Sequence, residues 1–556
     1  WSLVSTRSLF EHRAVVVGAD RARILDELAG VAAGEPGAGV VVGRARPVGK
    51  TVFVFPGQGS QWAGMGVELL DTSTVFAEKM RRCDKALAEY VAWSLIDVVR
   101  RAPGAPDLDR VDVVQPVLWA IMVSLAELWR SAGVIPDAVI GHSQGEIAAA
   151  CVAGALSLQD AARVVALRSR LVTQLSGAGG MASIACGLSR AQELVAASGD
   201  RLNIAAINGN SSIVVSGDMD ALNELIQRCA ADQVRARRID VDYASHSGHV
   251  ETIRAELLRL LASITPRSSS LAFISTVTGE LMDTAGLDAA YWYKSIRQTV
   301  QFEQAVHTAF DHGYQVFVES SPHPVLVASI EETLANQEHS NDATVVPTLG
   351  RDDGALQRFW LSAGQAHVAG VQVDWAAVIG GGRQVALPTY GFVRRRFWLS
   401  EFDAAGGDVR RLGLAGAEHG LLGAVVQRPD SGEVVLTGHL STAAQPWLAD
   451  HAVSGVVLFP GAGFVELAVR AGDAVGCGVV EELTLSAPLV VPPLGAVQVQ
   501  LVVGAPDTTG RRTLSMYSRP AQSVSGWTWH AEGLLGVGVV AAAADLSRWP
   551  PAGATP

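Results

Sequence analysis

The sequence predicts an α/β fold: a large α/β domain with a small inserted subdomain, followed by a β-rich α+β region. Residues 51–55 and 137–140 have the apolar composition of buried strands, and each run leads through a glycine-containing loop into a helical pattern. Residues 181–242 show short segments in the order β-α-β-β-α-β, which is typical of a ferredoxin-like unit. After Gly413, short strand patterns surround a long predicted helix at residues 464–475. These patterns predict two folded regions of different architecture.

The 556 residues are enough for about three or four domains, each with its own core. The chain begins with Trp1 rather than Met and its last residues are turn formers, so we expect a segment of a longer polypeptide. The predicted order is a linker containing one helix, the α/β domain, a second linker and the β-rich region, at residues 1–46, 47–350, 351–412 and 413–556.

Composition argues against several classes of function. A net charge of −12, with residues 394–396 as the one basic run, argues against a nucleic-acid partner. The five cysteines are scattered, odd in number and never spaced C-x-x-C, which indicates free thiols in a reducing compartment and predicts neither disulfides nor a metal site. No apolar run reaches the length of a membrane span and no signal-peptide pattern is present, so we expect a cytoplasmic protein without a membrane partner.

A G-x-S-x-G pattern at residues 141–145 is the strongest candidate for chemistry. A strand that turns sharply into a helix between two glycines presents the serine hydroxyl, here that of Ser143, at an exposed tip. The backbone N–H of the next residue, Gln144, then lies at the helix start, where it can stabilise a developing oxyanion. The pattern alone is weak, because in a chain this rich in glycine it arises by chance about 0.4 times.

A serine nucleophile needs a base, and the sequence offers 13 histidines. His246 has the best setting, at the end of a predicted strand, although a lone histidine there is more often structural. Arg168 lies in an otherwise apolar helical stretch, where burial is costly without a carboxylate; an internal salt bridge is the simpler interpretation. The glycine loop at residues 56–61 does not predict a dinucleotide site, because Trp62 stands where the third glycine belongs.

Five motifs then occur together in order and at characteristic spacing. They lie at residues 55–61, 141–145, 168, 243–246 and 321–325. In this arrangement they resemble the acyltransferase domain of modular type I polyketide synthases, and residues 388–390 resemble the segment that follows such domains. The resemblance implies an α/β hydrolase-like fold for the large domain. It also implies that the first linker is the remnant of a ketosynthase-to-acyltransferase connection.

The resemblance implies a two-step transfer. Ser143 attacks the thioester of an extender-unit coenzyme A with His246 as base, and the backbone N–H groups of Gln58 and Gln144 form the oxyanion hole. Arg168 holds the free carboxylate of a malonyl-type group. The phosphopantetheine thiol of an acyl carrier protein then takes the acyl group. No bound cofactor or metal is implied, because coenzyme A enters with the substrate and the pantetheine belongs to the partner.

Two further roles follow from the resemblance. The carbonyl of Gln301 is expected to orient His246 in place of a triad acid. Extender specificity is expected from Tyr243, Ala244 and Ser245, because Tyr-Ala-Ser-His resembles methylmalonyl-selective domains and His-Ala-Phe-His resembles malonyl-selective ones. Ser245 leaves room beside the C2 carbon that a phenylalanine would occupy, and one methyl group is discriminated by only about 1–3 kcal/mol.

The β-rich region contains H-x-x-x-G-x-x-x-x-P at His451, Gly455 and Pro460, which chance produces only about 0.05 times. It resembles the first half of a polyketide synthase dehydratase, a hot-dog fold in which His451 removes the α-proton of a β-hydroxyacyl thioester. The family's partner acid lies in a second hot-dog, and the chain ends before reaching it. We therefore expect this polypeptide not to catalyse dehydration.

Three alternatives stay open at this stage. A malonyl-selective transferase would use the same residues, and a serine acyl hydrolase of the editing type would use the same elbow. A docking scaffold would result if Ser143 and His246 did not meet. For the favoured function the expected partners are methylmalonyl-CoA, an acyl carrier protein and neighbouring synthase domains, namely a ketosynthase and the rest of the dehydratase.

Overall fold

The structure is a computed structural model that describes residues 1–335, 337, 343–391, 409–524 and 526–538. The basic run at residues 394–396 lies outside the described residues. The chain divides into two compact units, Trp1–Thr389 and Tyr390–Pro556.

Strands of the first unit form three sheets among the described residues. The strands are β1 (His12–Val16), β2 (Val40–Arg44), β3 (Lys50–Phe55), β4 (Ala138–Gly141), β5 (Gly180–Ile184), β6 (Leu202–Gly209), β7 (Ser212–Gly217), β8 (Ala236–Ile239), β9 (Ala272–Ile274), β10 (Leu281–Met282), β11 (Val300–Gln301), β12 (Tyr314–Glu319) and β13 (Thr344–Pro347).

Helices cover these sheets. They are α1 (Ser2–Thr6), α2 (Arg21–Ala33), α3 (Val67–Thr72), α4 (Thr74–Leu87), α5 (Leu95–Arg100), α6 (Val111–Ser131), α7 (Gly145–Val152), α8 (Leu158–Val172), α9 (Leu188–Ala196), α10 (Met219–Ala231), α11 (Arg254–Leu261), α12 (Ala289–Arg297), α13 (Phe302–Asp311), α14 (Val327–Ala335), α15 (Leu356–Ala369) and α16 (Trp375–Ile379).

The largest sheet has the strand order β10-β9-β4-β3-β12-β13, and all its strands except β10 run parallel. Successive residues of β3 enter two different cores: Phe53 and Phe55 pack in one, and Val52 and Val54 pack in the other. Helices therefore cover both faces, as a parallel sheet requires. The carboxyl ends of β3, β4 and β12 lie side by side, and ligands of open α/β sheets bind at this edge.

The inserted subdomain follows the predicted β-α-β-β-α-β order, with β5, α9, β6, β7, α10 and β8 in sequence. Its sheet has the order β11-β6-β7-β5-β8, and β5, β6, β7 and β8 pair antiparallel. This is the ferredoxin-like arrangement, extended at one edge by β11, which runs parallel to β6. Because β11 comes from the chain after the insertion, it connects the subdomain sheet to the main α/β body.

Both regions expected to be linkers contain folded elements that pack on each other. Strands β1 and β2 form an antiparallel pair connected through α2, which confirms the helix predicted there, and α15 packs on both strands. Arg13 donates a hydrogen bond to the carbonyl of His367 at 2.8 Å. A Cβ on Gly364 would lie 3.1 Å from the side chain of Val15, so a glycine permits this close approach.

Helix α6 is long and apolar enough, by length and composition, to cross a membrane. It alone meets that test in the described part of the chain, which corrects the expectation that no such run exists. The helix packs against α4 and α8, and most of its side chains, including Trp119 and Trp129, are fully buried in the first unit.

The second unit wraps one antiparallel sheet around a helix. Its elements are β14 (Ala415–His419), β15 (Leu422–Gln427), β16 (Val434–Leu440), β17 (Ala452–Val453), β18 (Val456–Val457), α17 (Gly461–Ala474), β19 (Val479–Leu485), β20 (Val497–Val503), β21 (Arg512–Pro520) and β22 (Thr528–Gly536). The sheet order is β14-β15-β16-β20-β21-β22-β19. Phe464, Leu467 and Ala471 of α17 are buried in the core that the sheet encloses. The predicted hot-dog architecture is confirmed.

Candidate active site

The turn between β4 and α7 has the geometry of a nucleophile elbow. Ser143 has a positive φ of 53°, a strained conformation for a residue with a side chain. A Cβ on Gly141 would lie 2.2 Å from the Cα of Glu146, and one on Gly145 would lie 2.1 Å from the carbonyl oxygen of Phe55. Both positions therefore require glycine, which explains why the serine lies between two of them.

Ser143 and His246 form a hydrogen-bonded pair. The Ser143 Oγ lies 2.8 Å from the Nε2 of His246, and the Nδ1 of His246 lies 2.7 Å from the carbonyl oxygen of Gln298. A carbonyl can only accept, so Nδ1 carries the ring proton and Nε2 accepts from the Ser143 hydroxyl. Burial lowers the pKa of His246 to about 3, and the nearby charge of Arg168 acts in the same direction. The imidazole is thus neutral and able to take a proton at pH 7.

The expected orienting residue, Gln301, forms no hydrogen bond with His246 among the described residues; the carbonyl of Gln298 takes that place. Gln301 lies in β11, where it pairs with Ile207 of β6 and its N–H donates to the carbonyl of Thr276. The backbone of β11 is therefore committed to the sheet, whereas Gln298 lies in the loop directly after α12. A backbone carbonyl can come from any residue type, so no sequence signal distinguishes Gln298.

Gln58 and Gln144 supply two backbone N–H groups in the segments next to the nucleophile. Gln58 follows β3 and Gln144 follows Ser143, and both residues line the same cavity as Ser143. Within the described residues neither N–H donates a hydrogen bond to the protein, whereas the N–H of Gly145 donates to the carbonyl of His142. The two free donors meet the chemical requirement for an oxyanion hole.

Arg168 is buried without a carboxylate partner. Its side chain is 2% exposed, its Nε has no hydrogen-bond partner, and its Nη1 lies 3.5 Å from the Oε1 of Gln115. Among the described residues no carboxylate lies within ion-pair distance of Arg168, so the simpler interpretation of an internal salt bridge is wrong; the buried Glu146 acts on it only through space. Burial lowers the pKa of Arg168 to about 10, which leaves it charged at neutral pH. An unpaired buried cation is costly and favours an anionic ligand.

The 243–245 segment is divided between the cavity and the core. Tyr243 donates to the Oε1 of Gln58 at 2.9 Å and lies 3.5 Å from the Nε2 of Gln115. Burial raises the pKa of Tyr243 to about 12, so its hydroxyl stays protonated. Ser245 lines the cavity. Ala244 is fully buried and packs against the backbone at Gly179, outside the cavity lining.

One cavity of about 270 Å³ brings together the predicted site residues Gln58, Ser143, Gln144, Arg168, Tyr243, Ser245 and His246. The ferredoxin-like subdomain supplies another part of its wall, including Asn208, whose Oδ1 accepts from the Nε2 of His142 at 2.7 Å. Sequence reasoning missed Asn208 and Gln115, because an isolated amide has no motif around it. No group of His, Cys, Asp and Glu in the described residues is arranged to hold a metal ion.

In the second unit His451 lies at the base of a tight hairpin. Ser454 and Gly455, with φ values of 52° and 80°, form the turn between β17 and β18, which explains the glycine of the motif. Pro460 precedes α17 as its N-cap residue. The Nδ1 of His451 lies 2.9 Å from the carbonyl oxygen of Leu458, and Nε2 has no hydrogen-bond partner among the described residues.

The fold, with a hydrogen-bonded Ser143–His246 pair beside a cavity, is that of an α/β domain of the acyl-transfer class. Residues 52–373 match the family model described as an acyl transferase domain, and residues 419–519 match that of the polyketide synthase dehydratase domain. The chain belongs to the modular type I polyketide synthases, as an acyltransferase domain followed by the N-terminal part of a dehydratase domain.

Similar proteins share this order. The chain is 61% identical over its whole length to a part of the mycoketide-CoA synthase of Mycobacterium tuberculosis, and 52% identical to a part of the pikromycin polyketide synthase component PikAII of Streptomyces venezuelae. It spans 13% and 15% of those proteins. The crystal structure of the acyltransferase domain from module 8 of the salinomycin polyketide synthase is 54% identical, with a TM-score of 0.65 over 67% of this chain and 88% of that chain.

Proposed function

We propose that the chain transfers a methylmalonyl group from coenzyme A, through an acyl-enzyme at Ser143, to the phosphopantetheine thiol of an acyl carrier protein. One observation carries this proposal: the unpaired, buried guanidinium of Arg168 lines the same cavity as the Ser143–His246 pair. A plain acyl group offers nothing to neutralise that charge. A malonyl-type group carries a carboxylate that matches the planar fork of arginine.

In the first step Nε2 of His246 takes the proton of Ser143 as Oγ attacks the thioester carbonyl. The N–H groups of Gln58 and Gln144 stabilise the oxyanion. In other acyl-transfer enzymes one such donor stabilises the transition state by about 3–4 kcal/mol. The C–S bond then breaks, the sulfur of coenzyme A leaves with the proton from His246, and an ester remains on Ser143.

In the second step the carrier thiol gives its proton to His246 and its sulfur attacks the ester carbonyl. The oxyanion forms in the same hole, the C–O bond to Ser143 breaks and the serine recovers its proton. Because the first product leaves before the second substrate reacts, ping-pong kinetics are expected. The carbonyl of Gln298 stabilises the imidazolium that forms in each step, in the place that a carboxylate takes in a triad.

Methylmalonyl specificity is supported by the small side chain of Ser245 at the cavity wall and by the fixed position of Tyr243. The buried Ala244 acts only through packing, because it lies outside the lining. The malonyl-selective alternative uses the same machinery. Its preference would differ by the contact of one methyl group, which is worth about 1–3 kcal/mol.

The hydrolase alternative is disfavoured by Arg168, because a plain ester substrate has no carboxylate to pair with the buried guanidinium. It is also disfavoured because the Nδ1 of His246 meets a carbonyl rather than a carboxylate. The scaffold alternative requires that Ser143 and His246 do not meet, whereas Ser143 Oγ and His246 Nε2 lie within hydrogen-bond distance, at 2.8 Å. We further propose a cytoplasmic location, with the carrier protein, a ketosynthase and the remaining dehydratase as partners.

For the second unit we propose that it does not dehydrate a β-hydroxyacyl group by itself. In the described residues no carboxylate forms a hydrogen bond with His451, so the acid that would protonate the leaving hydroxyl is not among its contacts. Conversion of a β-hydroxyacyl carrier substrate to an enoyl product by this chain would contradict the proposal.

The test is to offer equal concentrations of methylmalonyl-CoA and malonyl-CoA, quench, and measure the mass of the intact protein. A methylmalonyl adduct that is absent from Ser143→Ala is expected. A malonyl adduct would overturn the specificity alone. No adduct from either thioester would overturn the transfer. Addition of phosphopantetheinylated carrier protein should then discharge the ester much faster than water does, whereas rapid loss to water would favour the hydrolase.

A further inference from the structure

The segment between β12 and α14 contains the Ser-Pro-His-Pro-Val motif, to which the proposed chemistry assigns no role. Its last residue, Val325, and the following Leu326 line the catalytic cavity. Leu326 is also buried in the core beneath the central sheet, together with Ile330 of α14. The path of this segment therefore sets part of the cavity wall.

A buried carboxylate holds this segment in place. Glu319, the last residue of β12, is fully buried, and its Oε1 accepts from the N–H of Val325 at 2.8 Å. Its Oε2 accepts from the N–H groups of Leu326 and Val327, both at 2.9 Å. The hydroxyl of Ser321 lies 3.0 Å from Oε1. A single side chain thus fixes three consecutive backbone donors at the start of α14.

The carboxylate is matched to donors rather than to a cation. No lysine, arginine or histidine forms an ion pair with Glu319 in the described part of the chain. Backbone N–H groups only donate hydrogen bonds, so each of the three contacts requires an oxygen that accepts a hydrogen bond. The positive end of the α14 dipole adds to this preference. Burial raises the pKa of Glu319 to about 7, whereas these hydrogen bonds oppose that rise.

The strand that carries Glu319 is itself rigid. Glu319 pairs with Val54 of β3 on one side and with Pro347 of β13 on the other. The next residue, Ser320, donates its N–H to the carbonyl of Val54 and its hydroxyl to the carbonyl of Met122. The carboxylate therefore projects from a fixed point, and the cavity wall at Val325 and Leu326 is held relative to the central sheet.

We propose that Glu319 is a positioning residue that sets which acyl groups the cavity admits, by holding the backbone of Val325 and Leu326, an inference that rests on the proposed function. It touches neither the nucleophile nor the base. Its removal is expected to change the relative rates of acyl donors that differ in size while leaving the intrinsic reactivity of Ser143 nearly constant.

The test compares Glu319→Gln with Glu331→Gln, a matched control on the exposed side of α14. In Glu319→Gln an amide N–H₂ replaces one acceptor and faces backbone donors, so the wall is released. We expect the ratio of acylation rates for methylmalonyl-CoA and malonyl-CoA to change by at least about fivefold, within the range that one methyl group supplies. Labelling of Ser143 by a small fluorophosphonate should stay within about twofold, and Glu331→Gln should match the wild-type protein on both counts.

Hydrolysis of p-nitrophenyl acetate and p-nitrophenyl hexanoate measures, without coenzyme A, which acyl-chain length the cavity admits. The hexanoate-to-acetate rate ratio should rise in Glu319→Gln and should rise less in Ser321→Ala. It should also rise in Leu326→Ala, and the effects of Glu319→Gln and Leu326→Ala should be less than additive when the two are combined. Unchanged ratios, or an equal loss for all esters and for the fluorophosphonate, would overturn the role of Glu319. A wild-type protein that hydrolyses the esters but takes no acyl group from coenzyme A would overturn the proposed function and leave the ester ratios to decide on Glu319.

Discussion

Each unit of this chain contains a serine hydrogen-bonded to a buried histidine whose other nitrogen lies within hydrogen-bond distance of a backbone carbonyl. In the first unit the chain of contacts is Ser143, His246 and the carbonyl of Gln298, at 2.8 and 2.7 Å. In the second it is Ser518, His530 and the carbonyl of Ala487, at 2.7 and 3.1 Å. The hydrogen bonds are nearly the same, but the surroundings differ.

The difference lies in the backbone and the space around the serine. Ser143 occupies a turn with a positive φ, beside a cavity and the free N–H groups of Gln58 and Gln144. Ser518 lies inside β21, paired with Val499 of β20 and Thr528 of β22. Its backbone is occupied on both sides and its hydroxyl points into a packed core. A serine–histidine hydrogen bond therefore marks a nucleophile only where the backbone also leaves room for a substrate and donors for an oxyanion.

Exchange of each serine for alanine is the sharpest way to break this comparison. Ser143→Ala is expected to abolish both the acyl adduct and labelling by a fluorophosphonate, because it removes the hydroxyl that is hydrogen-bonded to His246 and lines the cavity. Ser518→Ala should label at the wild-type rate. Intact-protein mass spectrometry measures both. Label on Ser518, or its retention in Ser143→Ala, would show that the surroundings do not decide reactivity.

Arg168 is the second feature that distinguishes the surroundings of the Ser143–His246 pair, because it lines the cavity beside that pair. Arg168→Met should lower kcat/KM for methylmalonyl-CoA by about 100- to 10,000-fold, because two charge-assisted hydrogen bonds of about 1.5–3 kcal/mol each are lost. The rate with propionyl-CoA, which lacks the carboxylate, should fall less than about twofold or rise. Stopped-flow release of coenzyme A gives both values. An equal loss for the two thioesters would mean that Arg168 supports the fold rather than the substrate.

For the second pair the expected effect is on stability. His530→Ala removes the partner of the buried Ser518 hydroxyl and leaves a void near Phe464, at a cost of about 2–4 kcal/mol. Thermal unfolding should show a lower Tm for the transition of the second unit, with the labelling rate of Ser143 unchanged. A variant as stable as the wild-type protein would contradict a structural role for the pair.

The smallest expected effect concerns pH. The folded-state pKa of His246, about 3, lies below the ordinary value of 6.5, so the imidazole stays neutral as pH falls from 8 to 5. The fluorophosphonate labelling rate should therefore show no inflection near 6.5. Between about pH 6.5 and pH 3 the unfolded chain binds a proton that the folded chain does not, so this residue's contribution to stability decreases as pH falls through that range. A half-maximal labelling rate near pH 6.5 would contradict the buried, neutral histidine.

The sequence predicted the elements with strong local signals. The apolar β3, the elbow glycines around Ser143 and the segment order of the inserted subdomain are each encoded within a short stretch, and the structure has them. The cost of burying a lone arginine drew attention to Arg168, but its expected role came from the resemblance, because the residues alone favoured an internal salt bridge. Its partner Gln115, by contrast, is one amide among many, and only the fold shows that the two meet.

Features that depend on distant backbone were not predictable. The contact of His246 with Gln298 rather than Gln301 depends on where α12 ends and β11 begins, a difference of three residues that loop patterns do not resolve. The anchoring by Glu319 uses backbone donors, which every residue type offers. The packing of β1 and β2 on α15 joins segments more than 300 residues apart, and neither segment alone indicates the other.

That packing decides where the first unit can be divided. A cut at residue 46 would remove β1 and β2 from α15 and expose the surface around Gly364, and a cut at residue 351 would remove α15 from the strands. A cut near Thr389 keeps all three elements together. If the acyltransferase domain is exchanged between related polyketide synthases, both flanking segments should therefore be moved with it, so that its internal packing surfaces stay together.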